Sequence, residues 1–206
     1  MASRKQKRKD WLKGILLIVV LFIIAGGCLY IYGYLQRPKD EIVNTTKEVD
    51  KIDSYGYTLN DNVTQYYKDE FNKLKDLTSE EDIATQVAKL FVIDLYSINY
   101  KINKYEITST QYFYSDKQDM HRQKVLDNFY NFVEDNSYDD RKQELPEVKN
   151  VEIVKVVNST YKLGEQEVDS YVVSLTIEYV KDLGYDKQAQ VTLVKDKNNI
   201  SVVSLQ

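Results

Sequence analysis

Residues 168–181 read VDSYVVSLTIEYVK. Tyr171, Val173, Leu175, Ile177 and Tyr179 alternate here with Ser174, Thr176 and Glu178. A period of two marks a β-strand with one face buried and the other wet. The same period recurs on both sides, over Val148–Tyr161, Lys187–Lys195 and Asn199–Leu205. The connecting stretches KLGEQE, DLGYD and DKNN are short. None can hold a crossover helix, so the four strands pair antiparallel as a meander.

Before Pro146 the period lengthens. Val63, Tyr66, Tyr67, Phe71 and Leu74 recur every three or four residues behind a cap at Asp61 or Asn62. Thr78 and Glu81 form a capping box, followed by the apolar stripe Ile83, Val87, Leu90, Phe91, Leu95 and Ile98. Ser115 and Gln118 form a second box for a helix carrying Met120, Val125, Leu126, Phe129, Phe132 and Val133. The β-branched and aromatic run Tyr105–Tyr114 reads as a short strand or an irregular link. Helices first and strands afterwards make an α+β domain over residues 62–206, with two to three helices on one face of a four-stranded antiparallel sheet. About 145 residues bury an adequate core without disulfides or metal.

Further outward the character changes. Residues 1–13 hold six basic side chains against Asp10, and residues 14–36, GILLIVVLFIIAGGCLYIYGYLQ, hold no charge. At ~1.5 Å per residue this stretch spans roughly 33–35 Å, enough to cross a hydrocarbon core of ~30 Å as a helix. Trp11 borders one end, and Tyr30, Tyr32 and Tyr34 the other, where amphipathic rings favour the interface. The positive-inside bias keeps residues 1–13 in the cytoplasm and exports the C-terminal part. Two other readings of 14–36 stay open: a cleavable signal ending near Ala25–Gly27, and a lipobox-like AGGC with Cys28 lipidated. Residues 37–61 form a polar juxtamembrane linker, in which Tyr55, Tyr57 and Leu59 alternate and point to a short extended segment on the domain.

Residues 38–206 carry 21 basic and 31 acidic residues, so the exported part is acidic, which argues against nucleic acid and against docking on anionic lipid. One Cys and one His exclude an internal disulfide, a Cys-rich zinc module and any multi-His metal site. Walker, dinucleotide, GxSxG and HExxH motifs are absent. The expectation is accordingly a non-enzyme with no catalytic, cofactor-binding or metal residues and no cofactor.

The individual candidates are few. His121 has Asp116 and Asp119 near it in sequence, and reads as a surface or helix-packing residue before it reads as a general base. Asp94 stands at the edge of the second helix's apolar stripe, either as a cavity acid with a raised pKa or as a partner of Lys101 or Lys104. Cys28, inside the membrane stretch, reads as a small apolar residue. The acidic run Glu134, Asp135, Asn136, Asp139 and Asp140 lacks EF-hand spacing and reads as a solvated loop rather than a Ca²⁺ site. The N-x-S/T triplets at Asn44, Asn62, Asn158 and Asn199 are close to chance in so Asn-rich a chain.

Helices followed by a curved four-stranded sheet resemble the nuclear-transport-factor-two-like and cystatin-like cone folds. With a basic tail and one anchor in front, the layout of residues 1–206 resembles VirB-eight-type subunits of type IV secretion systems and their Gram-positive conjugation counterparts. The segments YGYTL (55–59), YYKDEF (66–71), KLFVIDLYSINYK (89–101), RKQELPEV (141–148) and DLGYDKQA (182–189) resemble single-pass membrane proteins of low-GC Gram-positive bacteria, a group that implies no activity. Some cone-fold enzymes pair a His with an Asp in their cavity, but their motif is absent here. The functional expectation is a membrane-anchored extracytoplasmic scaffold of the bacterial envelope, integral with N-terminus in and C-terminus out. It would bind protein partners or further copies of itself, as in a secretion or conjugation apparatus. The alternative is a ligand-binding or sensing domain with a cavity between helices and sheet, lined by Tyr171, Leu175 or Tyr179.

Overall fold

A computed structural model describes residues 55–206. The tail 1–13, the membrane stretch 14–36 with Cys28, and the linker up to residue 54 with Asn44 lie outside the described residues. Three helices, α1 (Gln65–Lys73), α2 (Glu80–Tyr96) and α3 (Gln118–Asn128), precede four strands. The strands are β1 (Val148–Leu163), β2 (Gln166–Tyr179), β3 (Gln188–Asp196) and β4 (Asn199–Leu205). They form one antiparallel sheet in the order β1-β2-β3-β4. The architecture is the expected α+β domain with helices on a four-stranded meander. Among the described residues, no helix is long and apolar enough to cross a membrane.

Helix boundaries differ from the sequence reading by one to three residues at the N-termini. Thr64, not Asp61 or Asn62, caps α1, accepting from the Tyr67 N–H at 2.9 Å. Residues 61–63 are already committed to a turn, closed by Val63 N–H to the Asp61 carbonyl. Ser79 caps α2 through the Asp82 N–H, so the overlapping Ser79/Asp82 pair displaces the Thr78/Glu81 box. Glu80, Glu81 and Asp82 in the first turn complement the helix dipole.

α3 has no side-chain cap, and the Ser115/Gln118 box is not formed. The Tyr114 N–H is held by the Val202 carbonyl and the Ser115 N–H by Asp196 Oδ2, which ties this backbone to the sheet and delays the helix to Gln118. It also stops early, at Asn128, because Tyr130 turns into the core and donates its hydroxyl to the Leu95 carbonyl. Phe132, expected on the apolar face, falls beyond the helix and is 44% exposed, and Met120, in the first turn, is 47% exposed.

α2 is the spine of the core. From Leu90 to Tyr96 every residue is buried, between the sheet on one side and α1 with the 108–112 turn on the other. Val173, Leu175, Ile177 and Tyr179 present the buried face of β2 to it, with Val191 and Leu193 from β3 and Val202 from β4. The stretch 105–114 resolves as a link: a 3₁₀ turn over Thr108–Tyr112, then one parallel bridge from Phe113 to Val202 that covers the free edge of β4. The other edge, β1, carries two bulges, at 148/150 and 153/155, and the side chains of Lys149, Glu152, Lys155 and Lys162. Bulges and charges of this kind blunt edge-to-edge pairing.

Residues 55–61, at the end of the stretch read as linker, pack on the domain through Tyr55, Tyr57 and Leu59, the alternating positions. Tyr57 is buried with its hydroxyl on the Ile200 carbonyl and its ring 4.9 Å from that of Tyr112. The Gln111 amide completes the clamp. Its Oε1 accepts from the Thr58 N–H at 2.8 Å, and its Nε2 donates to the Thr58 carbonyl at 3.1 Å.

Candidate functional site

α3 presents His121, Lys124, Val125, Asn128 and Phe129 on one side, at the three- and four-residue spacing that lines up a helix face. Facing them are Leu95 and Tyr96 from the end of α2, Phe113, and Ser204 and Leu205 from the end of β4. Together they enclose a cleft of about 330 Å³, at the lower end of the ~300–1,000 Å³ typical of small-molecule sites.

Its walls are apolar and aromatic. Phe129 meets Tyr96 edge-to-face at 5.1 Å and Tyr185 at 6.3 Å. The polar residues of the lining are His121, Lys124, Asn128 and Ser204, of which Lys124 and Asn128 are solvent-exposed. No Asp or Glu lines the cleft, and the Lys124 ammonium makes no ion pair among the described residues.

His121 is 6% exposed. Its ring stacks on Phe113 at 4.1 Å with an interplanar angle of 10°, and tilts against Phe91 at 5.6 Å. Burial pushes its pKa down from the ordinary 6.5 to about 4, with Asp94 opposing the change and Lys124 adding to it. The ring is therefore neutral at pH 7. Its nearest hydroxyl, Ser109 Oγ, lies 3.4 Å from Nε2. That contact is longer than the 2.6–3.2 Å of an activated nucleophile–base pair. Ser109 is itself buried and is not among the cleft-lining residues, and among the described residues no carboxylate hydrogen-bonds the imidazole to orient it. Asp116 and Asp119, near it in sequence, make no bond to it either.

Asp94 belongs to a separate interior network. It is 3% exposed and pairs with Lys101, itself 2% exposed. Thr108 Oγ1 donates to Asp94 Oδ1 at 2.6 Å and accepts from Lys101 Nζ at 2.6 Å. Asp94 Oδ2 has no hydrogen-bond partner among the described residues. The void beside this network, lined by Tyr67, Ser97 and Lys101 among others, measures about 10 Å³. One water molecule fills such a space, and a substrate does not fit it. Of the two roles the sequence leaves to Asp94, the geometry supports the structural pair with Lys101.

The tyrosines around this network are core residues with tethered hydroxyls. Tyr67 and Tyr112 hydrogen-bond each other, and Tyr130 donates to Leu95. Desolvation first, and the Asp94 carboxylate after it, raise the Tyr67 and Tyr130 phenols well above their ordinary range. Buried phenols of this kind combine apolar area with one fixed polar contact.

The remaining sequence candidates fall elsewhere. Leu175 and Tyr179 lie in the core and Tyr171 is half-buried against it, and none of the three lines the cleft. The face of β2 that they share is filled by α2, so the opening sits one layer further out, at the end of β4. In the acidic loop, Asp135 Oδ1 accepts from the Ser137 N–H and Asn136 Oδ1 from the Arg141 N–H. The Arg141 guanidinium ties that loop to the carbonyls of Asn99 and Lys101. Among the described residues, no group of three or more His, Cys, Asp or Glu is placed to hold a metal ion.

Lys124, Asn128, Ser204 and Leu205 were not singled out in the sequence. The i, i+3, i+4, i+7 and i+8 spacing from His121 to Phe129 is the one signal that leads to the helix half of the site. No family model, curated protein or solved structure matches the chain.

Proposed function

We propose that the chain is a membrane-anchored, non-enzymatic binding module of the bacterial cell envelope that takes a small ligand in the cleft between α2, α3 and the end of β4. Residues 14–36 form its single span, residues 1–13 stay in the cytoplasm, and the domain faces the outside. The kinship to cone-like, nuclear-transport-factor-two-like or cystatin-like domains belongs to the same reading. What carries it is the cleft: it has the volume of a small-molecule site, and its lining is mostly apolar with a few polar residues among it. A lone imidazole without an orienting carboxylate supports recognition rather than catalysis.

The test compares the full-length chain with Val125→Trp, which fills the cleft. Small molecules that co-purify with the native protein from its host are identified by mass spectrometry. A compound retained by the native chain and lost from the variant supports the reading. Identical small-molecule content in the two, with the fold of the variant intact by circular dichroism, overturns it.

A second reading, as an assembly subunit of a secretion or conjugation apparatus, is favoured by a separate observation. Ile153, Val154 and Val157 on β1 are exposed, Val154 to 63%. Photo-crosslinking from position 154 in cells tests it, and recovery of no protein adduct counts against a scaffold.

A further inference from the structure

We infer that the cleft is selective for a small monoanion, a carboxylate carried on a short apolar body, with Lys124 as the residue that confers the selectivity. The inference rests on the ligand-binding reading above and specifies the ligand's chemistry. Three observations carry it. Lys124 is a lining residue of the cleft at its solvent-exposed side and makes no ion pair among the described residues. Among the described residues no Asp or Glu lines the cleft, so a cationic ligand would find no counter-charge from them there. Lys124 stands one helical turn from His121 on the same face of α3, so a carboxylate paired with the ammonium lies within reach of the imidazole as well.

The size and the charge count narrow the class. A volume of about 330 Å³ walled by Leu95, Val125, Phe129 and Leu205 accepts a short aliphatic chain or a single aromatic ring. One ammonium and no arginine neutralise one negative charge, which suits a carboxylate better than a phosphate dianion.

His121 reports occupancy because it is the only histidine in the chain. The charged groups acting on its ring are Asp94 from α2 and Lys124 from its own helix. A carboxylate seated against Lys124 adds a negative charge beside the ring and favours its protonated form. Binding therefore raises the His121 pKa from about 4 and takes up protons at mildly acidic pH.

The experiment uses the full-length chain in zwitterionic nanodiscs with the histidine isotopically labelled. Hexanoate and hexan-1-ol are titrated at pH 7 while the His121 ring resonances are followed. Hexanoate is expected to shift them saturably, to raise the ring's pKa, and to bind at least tenfold more tightly than the alcohol. Lys124→Met is expected to weaken hexanoate about tenfold, the loss of one charge-assisted hydrogen bond, and to leave the alcohol unchanged. Equal binding of acid and alcohol, or a Lys124→Met variant that binds hexanoate like the native chain, overturns the inference and leaves the binding module standing. Shifts from neither probe overturn both.

Discussion

The most exacting check on the cleft is the pH dependence of stability carried by His121. In the folded chain the buried ring holds its proton only below about pH 4, whereas in the unfolded chain it titrates near 6.5. The unfolded state therefore binds the proton more tightly over this interval. Stability is at its full value above pH 6.5, falls as the pH drops towards 4, and has no further loss from this group below that. With ~1.4 kcal/mol for each pH unit of difference, the linkage integrates to a loss of about 2 kcal/mol between pH 7 and pH 5. The interval is clean, because the carboxyls held below their usual range, Glu70 through Gln86 and the Lys73 and Lys89 ammoniums, Asp135 through Ser137, and Asp182 through Lys187, lose their contribution only at lower pH. The assay is urea unfolding of the full-length chain in nanodiscs, followed by far-ultraviolet circular dichroism, for the native protein and His121→Phe. Phenylalanine keeps the ring against Phe113 and Phe91 but cannot titrate. The native chain is expected to lose about 2 kcal/mol more than the variant on going from pH 7 to pH 5. Equal losses in the two proteins would refute the burial of a neutral imidazole and the cleft geometry built on it.

Three further outcomes are expected. Lys101→Met leaves the Asp94 carboxylate buried without its partner and costs ~3–5 kcal/mol, whereas Asp94→Asn combined with Lys101→Met recovers more than half of that, read from urea midpoints. Gln111→Ala removes all three hydrogen bonds to Thr58 and costs on the order of 1–2 kcal/mol, and it speeds hydrogen exchange at the Thr58 amide while leaving β2 protected. Reporter fusions at the C-terminus read as exported. Exchanging Arg4, Lys5, Lys7, Arg8, Lys9 and Lys13 for neutral residues weakens that orientation, and an unchanged reporter would disprove the positive-inside assignment.

The α+β layout was legible because its signals are local. Tyr171, Val173, Leu175, Ile177 and Tyr179 alternate in β2, and the links are too short for anything but antiparallel neighbours. Helix starts were less legible because two good caps overlap at Thr78 and Ser79, and because the start of α3 is governed by bonds to Val202 and Asp196, remote in sequence. The candidate site was legible only in part. His121 and Asp94 stood out by type and position, but their environments did not. Nothing local distinguishes an imidazole packed against two aromatic rings from one in solvent, or marks Lys124 as a lining residue of a cleft.

By itself, the order of residues in this chain determined the division into a basic tail, an uncharged stretch and an acidic domain. It also determined the order of helices and strands, since charge, hydropathy and period are properties of neighbouring residues. Tertiary structure alone decided that the face of β2 is closed by α2 while a cleft opens at the end of β4. It alone joined Asp94 to Lys101 and brought Phe113, Ser204 and Leu205 to one face of α3. Those are outcomes of long-range packing, where burial changes what each side chain can do and no short window of sequence contains both partners.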